Sequence, residues 1–151
     1  MNLLLFTNAD RVNAGCIEVS DRRLQHLIEV HKAKVGDQVR VGEVDGNTGS
    51  GEILELNAHK ATLSVALNEA PPQKLPIHLV LALPRPKMLR RILRSTAEFG
   101  VPQLHLINSY RVEKSYWQTP ALKPETIREY LVQGLEQAKD TVLPTVTCHE
   151  R

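Results

Sequence analysis

The first seventy residues alternate apolar and polar side chains with a period of two, a pattern typical of half-buried β-strands. The alternation is clearest at residues 39–41, 53–56 and 62–67, and glycine, asparagine and aspartate residues separate the runs. Residues 57–60 have the right length for a hairpin connection. This part of the chain therefore predicts five or six short strands.

A single helix interrupts these strands. Ser20 or Asp21 can cap its amino terminus, and the side chains of one helical face then recur at the spacing i, i+3, i+4, i+7. They are Leu24, Leu27, Ile28 and His31. Several short strands with one helix in so short a segment predict a small barrel or sandwich.

In the second half of the chain the spacing of the apolar residues changes. A nearly continuous apolar run at residues 77–83 indicates a strand that is covered on both faces. Pro86 and Pro124 can each open a helix, and further strands are predicted at residues 104–107 and 145–148. The order β-α-β-α-β predicts a parallel sheet with right-handed crossovers. This is half of a doubly wound unit, so we expect the remainder to come from further chain or from a partner.

Three prolines, Pro71, Pro72 and Pro76, separate the two halves. Each fixes its own φ and lacks an amide donor, so neither a helix nor a central strand continues through them. We predict a stiff linker between a first domain at residues 1–72 and a second domain at residues 77–151.

Composition narrows the class of protein. The 151 residues are 42% apolar and 24% charged, which is typical of globular proteins and excludes a disordered chain. No apolar run is long enough for a membrane span, and the first residues do not resemble a signal peptide. Cys16 and Cys148 form no CxxC pair, which suits a reducing compartment. We expect a cytoplasmic protein without membrane contact.

The net charge of +2 is unevenly distributed. Residues 1–73 carry seven basic and ten acidic side chains, whereas residues 74–151 carry twelve basic and seven acidic ones. A basic second half indicates either a polyanionic partner or ordinary surface charge.

The strongest local signal is a basic stripe on the first helix of the second half. Lys87, Arg90, Arg91 and Arg94 fall on one helical face, and Arg85 stands just before the helix. Like charges at this spacing repel one another, so the arrangement is favourable when anions lie against it. Phosphates would serve, because arginine holds them bidentately. A solvated helix face, or ion pairs with acids elsewhere in the fold, is the alternative.

Residues 109–117 follow a predicted strand at its carboxyl end, where open α/β sheets bind ligands. Their mixture of basic and aromatic side chains suits base stacking and phosphate contacts. Tyr116 and Trp117 equally suit an anchor for this loop on its own domain or on a second subunit. The chain has no Cys/His spacing of the kind that binds a metal. It also has no nucleophile with an adjacent base, so the sequence indicates no catalytic centre.

Several short segments occur in an order and at spacings that, taken together, are fairly specific to one protein family. They are residues 25–37, 79–83 and 95–101, Asn108-Ser109-Tyr110-Arg111, and Glu136-Gln137 followed by Pro144. Together they resemble the bacterial ribosomal RNA small subunit methyltransferase E family, and the resemblance covers essentially the whole chain. That family methylates N3 of a uridine in 16S ribosomal RNA and uses S-adenosylmethionine (SAM).

The resemblance implies an α+β fold followed by an α/β fold. Residues 1–72 would form a PUA-like β-barrel that binds RNA, and residues 77–151 the first half, β-α-β-α-β, of a SPOUT-type α/β knot domain. It also implies 16S ribosomal RNA in the small ribosomal subunit as a partner and a homodimer formed through the α/β domain. The RNA-binding residues expected on this basis are Lys32, Lys34, Arg40, Arg85, Lys87, Arg90, Arg91, Arg94, Arg111 and Lys114.

The family's Gly-Pro-Glu-Gly-Gly and Leu-Arg-x-Glu-Thr-Ala stretches, which hold SAM, do not occur up to Arg151. We therefore expect the catalytic residues beyond Arg151, no SAM-binding residue within the chain, and no methyltransferase activity from these 151 residues alone. No metal is expected.

The chain differs from the family pattern at four places, which indicates a subgroup. Val30-His31-Lys32 replaces Val-Leu-Arg, and residues 95–100 replace Lys-Ala-Thr-Glu-Leu-Gly. Ser109-Tyr110-Arg111-Val112 replaces Ser-Glu-Arg-Ser, and Ala138-Lys139-Asp140 replaces Ser-Gly-Arg.

Two other functions fit the residues. One is a stand-alone RNA-binding module without enzyme activity. The other is a fragment of an α/β enzyme whose basic helix grips a phosphorylated small molecule, which would require a deep apolar pocket.

Overall fold

Short β-strands dominate residues 1–71 of the computed structural model, which describes residues 1–151 as two units, 1–71 and 72–151. The strands are β1 (Leu4–Phe6), β2 (Arg11–Asn13), β3 (Cys16–Val19), β4 (Gln38–Glu43), β5 (Thr48–Leu56) and β6 (Ala61–Glu69). A 3₁₀ turn at Asn8–Asp10 and helix α1 (Arg22–Glu29) complete the unit. The predicted strands and the single helix are confirmed.

The six strands form one curled sheet in the order β1-β4-β5-β6-β3-β2. Only β1 and β4 pair in parallel; the other neighbours are antiparallel. Arg11 of edge strand β2 donates from Nε and Nη2 to the two carboxylate oxygens of Glu43, at 3.1 and 3.0 Å. Because Glu43 ends β4, next to the opposite edge, this bidentate ion pair shows that the sheet bends back toward itself.

The concave side of this sheet holds the core of the first unit. Its buried residues come from alternate strand positions and from α1, and burial of each of the larger apolar side chains contributes roughly 1.5–3 kcal/mol. They are Leu4, Phe6, Ile17, Val19, Leu24, Leu27, Val41, Ile53, Ala61 and Leu63. The predicted inward face of α1, which ran from Leu24 to His31, extends beyond the end of the helix. The helix ends at Glu29, so His31 lies beyond it and Ile28 remains 40% exposed.

Arg23 fastens α1 to the strands. Its Nη2 lies 2.7 Å from carboxylate oxygens of both Asp10 and Asp21, and its Nη1 donates to the Leu5 carbonyl at 2.9 Å. Burial alone would lower the pKa of Arg23, but the hydrogen bonds to the two carboxylates raise it. The hydrogen bond from Arg23 lowers the pKa of Asp21 in return. Asp21 is also the helix cap, accepting from the Arg23 amide at 2.9 Å.

The second unit alternates strands and helices. Its elements are β7 (His78–Ala82), α2 (Pro86–Glu98), β8 (Gln103–Ile107), α3 (Lys114–Trp117), a 3₁₀ turn at Pro120–Leu122, α4 (Pro124–Ala138) and β9 (Thr145–His149). The strands pair in parallel in the order β7-β8-β9, which confirms the predicted parallel β-α-β-α-β arrangement.

Helices α2 and α4 pack against each other and cover one face of this sheet. On that face Leu104 and Leu106 are fully buried. The opposite face is open, and Val80 is 60% exposed there. The expectation that the first strand of this sheet is covered on both faces is therefore wrong for the described chain. None of the helices is long and apolar enough to cross a lipid bilayer.

Candidate nucleic-acid interface

Helix α2 separates apolar and basic side chains onto different faces. Pro86 occupies its first turn, where a missing amide donor costs nothing, and Leu89 and Leu93 are fully buried. Gly100, with φ of 70°, follows the helix as predicted. Its amide donates to the Ala97 carbonyl at 3.1 Å, a bond that satisfies one of the last carbonyls of the helix.

The basic face of α2 lines an open groove of about 610 Å³. All five basic residues predicted around this helix contribute to it, and no acidic residue does. The lining residues are Arg85, Lys87, Met88, Arg90, Arg91, Arg94 and Tyr130. A concave surface with five cations and no carboxylate favours a polyanionic ligand.

Side chains of α4 hold the arginine at the far end of this groove. Arg94 Nε donates to Oε1 of Gln133 at 2.9 Å, and the Arg94 guanidinium carbon lies 4.8 Å from the centre of the Tyr130 ring. The guanidinium of Arg90 lies 5.9 Å from the same ring. These cation–π contacts offset part of the repulsion between the two arginines without neutralising either charge.

Tyr130 and Gln133 were not predicted to belong to this site. They come from α4, more than thirty residues after the end of α2 in the sequence. The signal that points to them is an aromatic and an amide one helical turn apart, but the approach of α4 to α2 is needed to bring them to the groove.

The loop after β8 and the first residue of α3 contribute further cations at the carboxyl edge of the sheet. Arg111 and Lys114 are both exposed. Trp117 Nε1 donates to Oδ1 of Asn108 at 3.4 Å, so Trp117 anchors this loop on its own unit, which is one of the predicted alternatives.

The three basic residues predicted in the first unit are not brought into one site. Lys32 and Lys34 are exposed around a turn, in which Lys32 adopts a φ of 49°. Arg40 donates from Nη2 to Oε2 of Glu69 at 2.6 Å, so its charge is already paired. The basic groove on α2 is therefore the better developed candidate site.

Three histidines form a row on the open face of the second sheet. The ring centres of His78 and His105 are 5.8 Å apart, and those of His105 and His149 are 5.4 Å apart. His105 Nδ1 and His149 Nε2 share a hydrogen bond of 3.1 Å. No group of three His, Cys, Asp or Glu side chains has a geometry that could hold a metal ion.

Comparison with known proteins assigns the second unit, which carries the basic groove, to a protein family. A model of the RNA methyltransferase domain family matches residues 71–150. A ribosomal RNA small subunit methyltransferase E from Treponema pallidum is 35% identical over 153 residues, which cover 99% of this chain and 57% of the relative. A Borreliella burgdorferi protein, ribosomal RNA small subunit methyltransferase E 1, is 26% identical and covers 97% of this chain and 60% of the relative.

The fold has solved counterparts. The crystal structure of a ribosomal RNA small subunit methyltransferase E from Neisseria gonorrhoeae, bound to SAM, superposes with a TM-score of 0.66 at 14% identity. The match covers 97% of this chain and 63% of that one. The chain thus spans less than two thirds of the length of these proteins.

Proposed function

Since the chain belongs to the RNA methyltransferase family and has ribosomal RNA small subunit methyltransferase E proteins as relatives, we propose that it binds 16S ribosomal RNA as part of a methyltransferase. The methylated atom is N3 of a uridine. The single observation that carries the proposal is the groove on α2, in which five cations and no carboxylate face solvent within the segment that the family model matches.

The two units have distinct roles in this proposal. Residues 1–72 are a PUA-like β-barrel that adds RNA contacts through Lys32 and Lys34, and the curled sheet with its ion pair between Arg11 and Glu43 supports a barrel. Residues 77–151 are the first half of a SPOUT-type domain, through which the protein forms a homodimer in the cytoplasm.

The methyl group comes from SAM, which the relative from Neisseria gonorrhoeae binds. No described side chain is assigned to SAM, because the stretches that hold it in the family do not occur among residues 1–151. The residues of this chain bind and orient the RNA. The alternative, an RNA-binding module without enzyme activity, is distinguished by whether the coding sequence continues past Arg151 into a Gly-Pro-Glu-Gly-Gly stretch.

The decisive experiment is a salt titration of RNA binding. Each cation that neutralises a phosphate contributes roughly 0.7–0.9 to the slope of log K against log salt concentration. The variant Lys87→Gln/Arg90→Gln/Arg91→Gln should therefore reduce the slope for a 16S ribosomal RNA fragment by about 2–3. Arg94 is left in place because it bonds to Gln133.

A matched variant controls for net charge. Lys123→Gln/Arg128→Gln/Arg151→Gln removes the same charge from exposed positions outside the groove and should leave most of the slope intact. Removing like charges from α2 should not lower its stability, since glutamine is a good helix former. An unchanged slope together with a lower melting temperature would contradict the proposal and make the groove cations structural.

A further inference from the structure

Tyr110 stands at the tip of the loop between β8 and α3 and is fully exposed to solvent. An aromatic ring of this size gains free energy when it leaves water. No contact within the chain provides that gain, so the ring is available to a ligand.

The loop that carries Tyr110 is fastened at its base. The Asn108 amide donates to the carbonyl of His149 in β9 at 3.1 Å, and the Asn108 side chain accepts from Trp117 Nε1. The Val112 amide closes a turn on the Ser109 carbonyl at 3.0 Å. These bonds hold the tip at the carboxyl edge of the sheet, so ordering the ring against a ligand costs little additional entropy.

The surroundings of the ring favour an anionic ligand. Arg111 is adjacent and exposed. The Leu83 amide donates to the Ile107 carbonyl at 3.0 Å, which brings the end of β7, and the groove residue Arg85 that follows it, to the same edge as the loop. The loop contains a single acidic side chain, Glu113, and this carboxylate accepts a hydrogen bond from the Ser115 hydroxyl at 3.5 Å.

We infer that Tyr110 is a stacking platform for an unpaired nucleobase of the bound RNA, with Arg111 contacting the adjoining phosphate. An exposed aromatic ring beside cations is the combination that binds single-stranded nucleic acid, because every base has a π-face and every nucleotide a phosphate. The inference rests on the proposed RNA-binding function and deepens it.

The test compares substitutions of Tyr110 in binding to single-stranded oligouridine, followed by fluorescence anisotropy. Tyr110→Ala should weaken binding about 5- to 150-fold, the range expected for one base–aromatic stack. Tyr110→Phe should bind within about twofold of the unsubstituted chain, since it keeps the ring. The salt slope should be the same in all three proteins, because no cation is lost.

Phe99 provides a matched control. It is an aromatic residue of the same unit, 71% exposed, and it precedes β8, at the opposite edge of the sheet. Phe99→Ala should leave oligouridine binding unchanged. A fully paired RNA duplex should bind Tyr110→Ala as well as it binds the unsubstituted chain, since its bases are not free to stack on the ring.

The outcomes separate this inference from the proposed function. Salt-dependent binding that Tyr110→Ala does not weaken would overturn the stacking role and leave the groove intact. Equal losses in Tyr110→Phe and Tyr110→Ala would assign the effect to the hydroxyl and overturn it as well. A change of mass in light scattering with unchanged RNA affinity would make Tyr110 a contact between copies. If the unsubstituted chain shows no salt-dependent binding, the proposed function itself fails.

Discussion

Lys139 ends α4 in a backbone conformation that a side chain disfavours. Its φ of 57° and ψ of 38° lie in the left-handed region, where a Cβ atom costs roughly 1–2 kcal/mol and glycine has no such penalty. Position 139 is the one at which the family pattern Ser-Gly-Arg has its glycine, in place of Ala138-Lys139-Asp140. This chain thus holds a lysine in a backbone conformation that suits glycine.

Lys139→Gly should stabilise the chain. Removing the Cβ atom relieves the left-handed penalty, and we expect the free energy of unfolding to rise by about 1 kcal/mol in urea titrations. Lys139→Ala is the control, because it removes the charge and keeps the Cβ atom. Equal stabilisation by alanine and glycine would trace the effect to charge and contradict the conformational explanation.

The roles of single residues within one segment were predictable, whereas side-chain contacts between distant segments were not. The alternatives for the cap of α1 included Asp21, and Gly100 was predicted to follow α2, because both roles depend only on neighbouring backbone. The pairing of Arg23 with Asp10 spans thirteen positions, and the contact of Arg94 with Gln133 spans thirty-nine. Such pairs follow from how elements pack, which residue identity alone does not specify.

Helices α2 and α4 approach closely at Gly134. A Cβ atom at this position would clash with the carbonyl oxygen of Arg94 and lie 2.8 Å from the Cβ atom of Ala97. Glycine lowers helix stability by about 1 kcal/mol relative to alanine. At position 134 this cost is offset by the close packing of the two helices that the absence of a side chain permits. Because Arg94 lies on the other side of that contact, Gly134 also fixes where the groove stands relative to α4.

Gly134→Ala should destabilise the chain despite its better helix propensity. The backbones of α2 and α4 must separate to admit the methyl group, and overpacking of this kind costs about 1–3 kcal/mol, measured by thermal or urea unfolding. Gly15→Ala is the control, since a Cβ atom there meets nothing nearer than Asn13 Oδ1 at 3.9 Å. A Gly134→Ala chain as stable as the unsubstituted one would refute the close-packing explanation.

The prediction for β7 shows what apolar content can and cannot indicate about an element. The run at residues 77–83 correctly predicted a strand, but it also suggested cover on both faces. Leu79 and Leu81 alternate with His78 and Val80, and the latter two are exposed on the open face. An apolar residue indicates that its burial is favourable, but it does not indicate whether a helix, another sheet or a partner covers it.

Across the whole molecule, the first unit has a core of its own. All ten buried residues of that core lie between Leu4 and Leu63, within the unit of residues 1–71. Periodicity predicted the β-α-β-α-β order of the second half, and one helix with several of the strands in the first. The sheet order β1-β4-β5-β6-β3-β2 was not, because β1 and β3 find their partners far along the chain.

Residues 1–71 should fold when expressed alone. We expect a cooperative thermal transition in far-ultraviolet circular dichroism, because no buried residue of this core comes from the second unit. Ile53→Ala should lower the stability of this fragment and of the whole chain by a similar amount, about 2–5 kcal/mol, through the cavity that it creates. A fragment with the spectrum of an unfolded chain would show that the second unit is needed.

The sheet order also has a consequence for biosynthesis. A ribosome delivers β1, β2 and β3 first, yet β1 pairs with β4 and β3 pairs with β6. The apolar stretch from Leu3 to Phe6 therefore lacks its strand partner until β4 has left the exit tunnel, and β3 lacks its partner until β6 has left. During translation the apolar stretch exposes surface of the kind that chaperones bind, although the finished sheet buries all four of these residues.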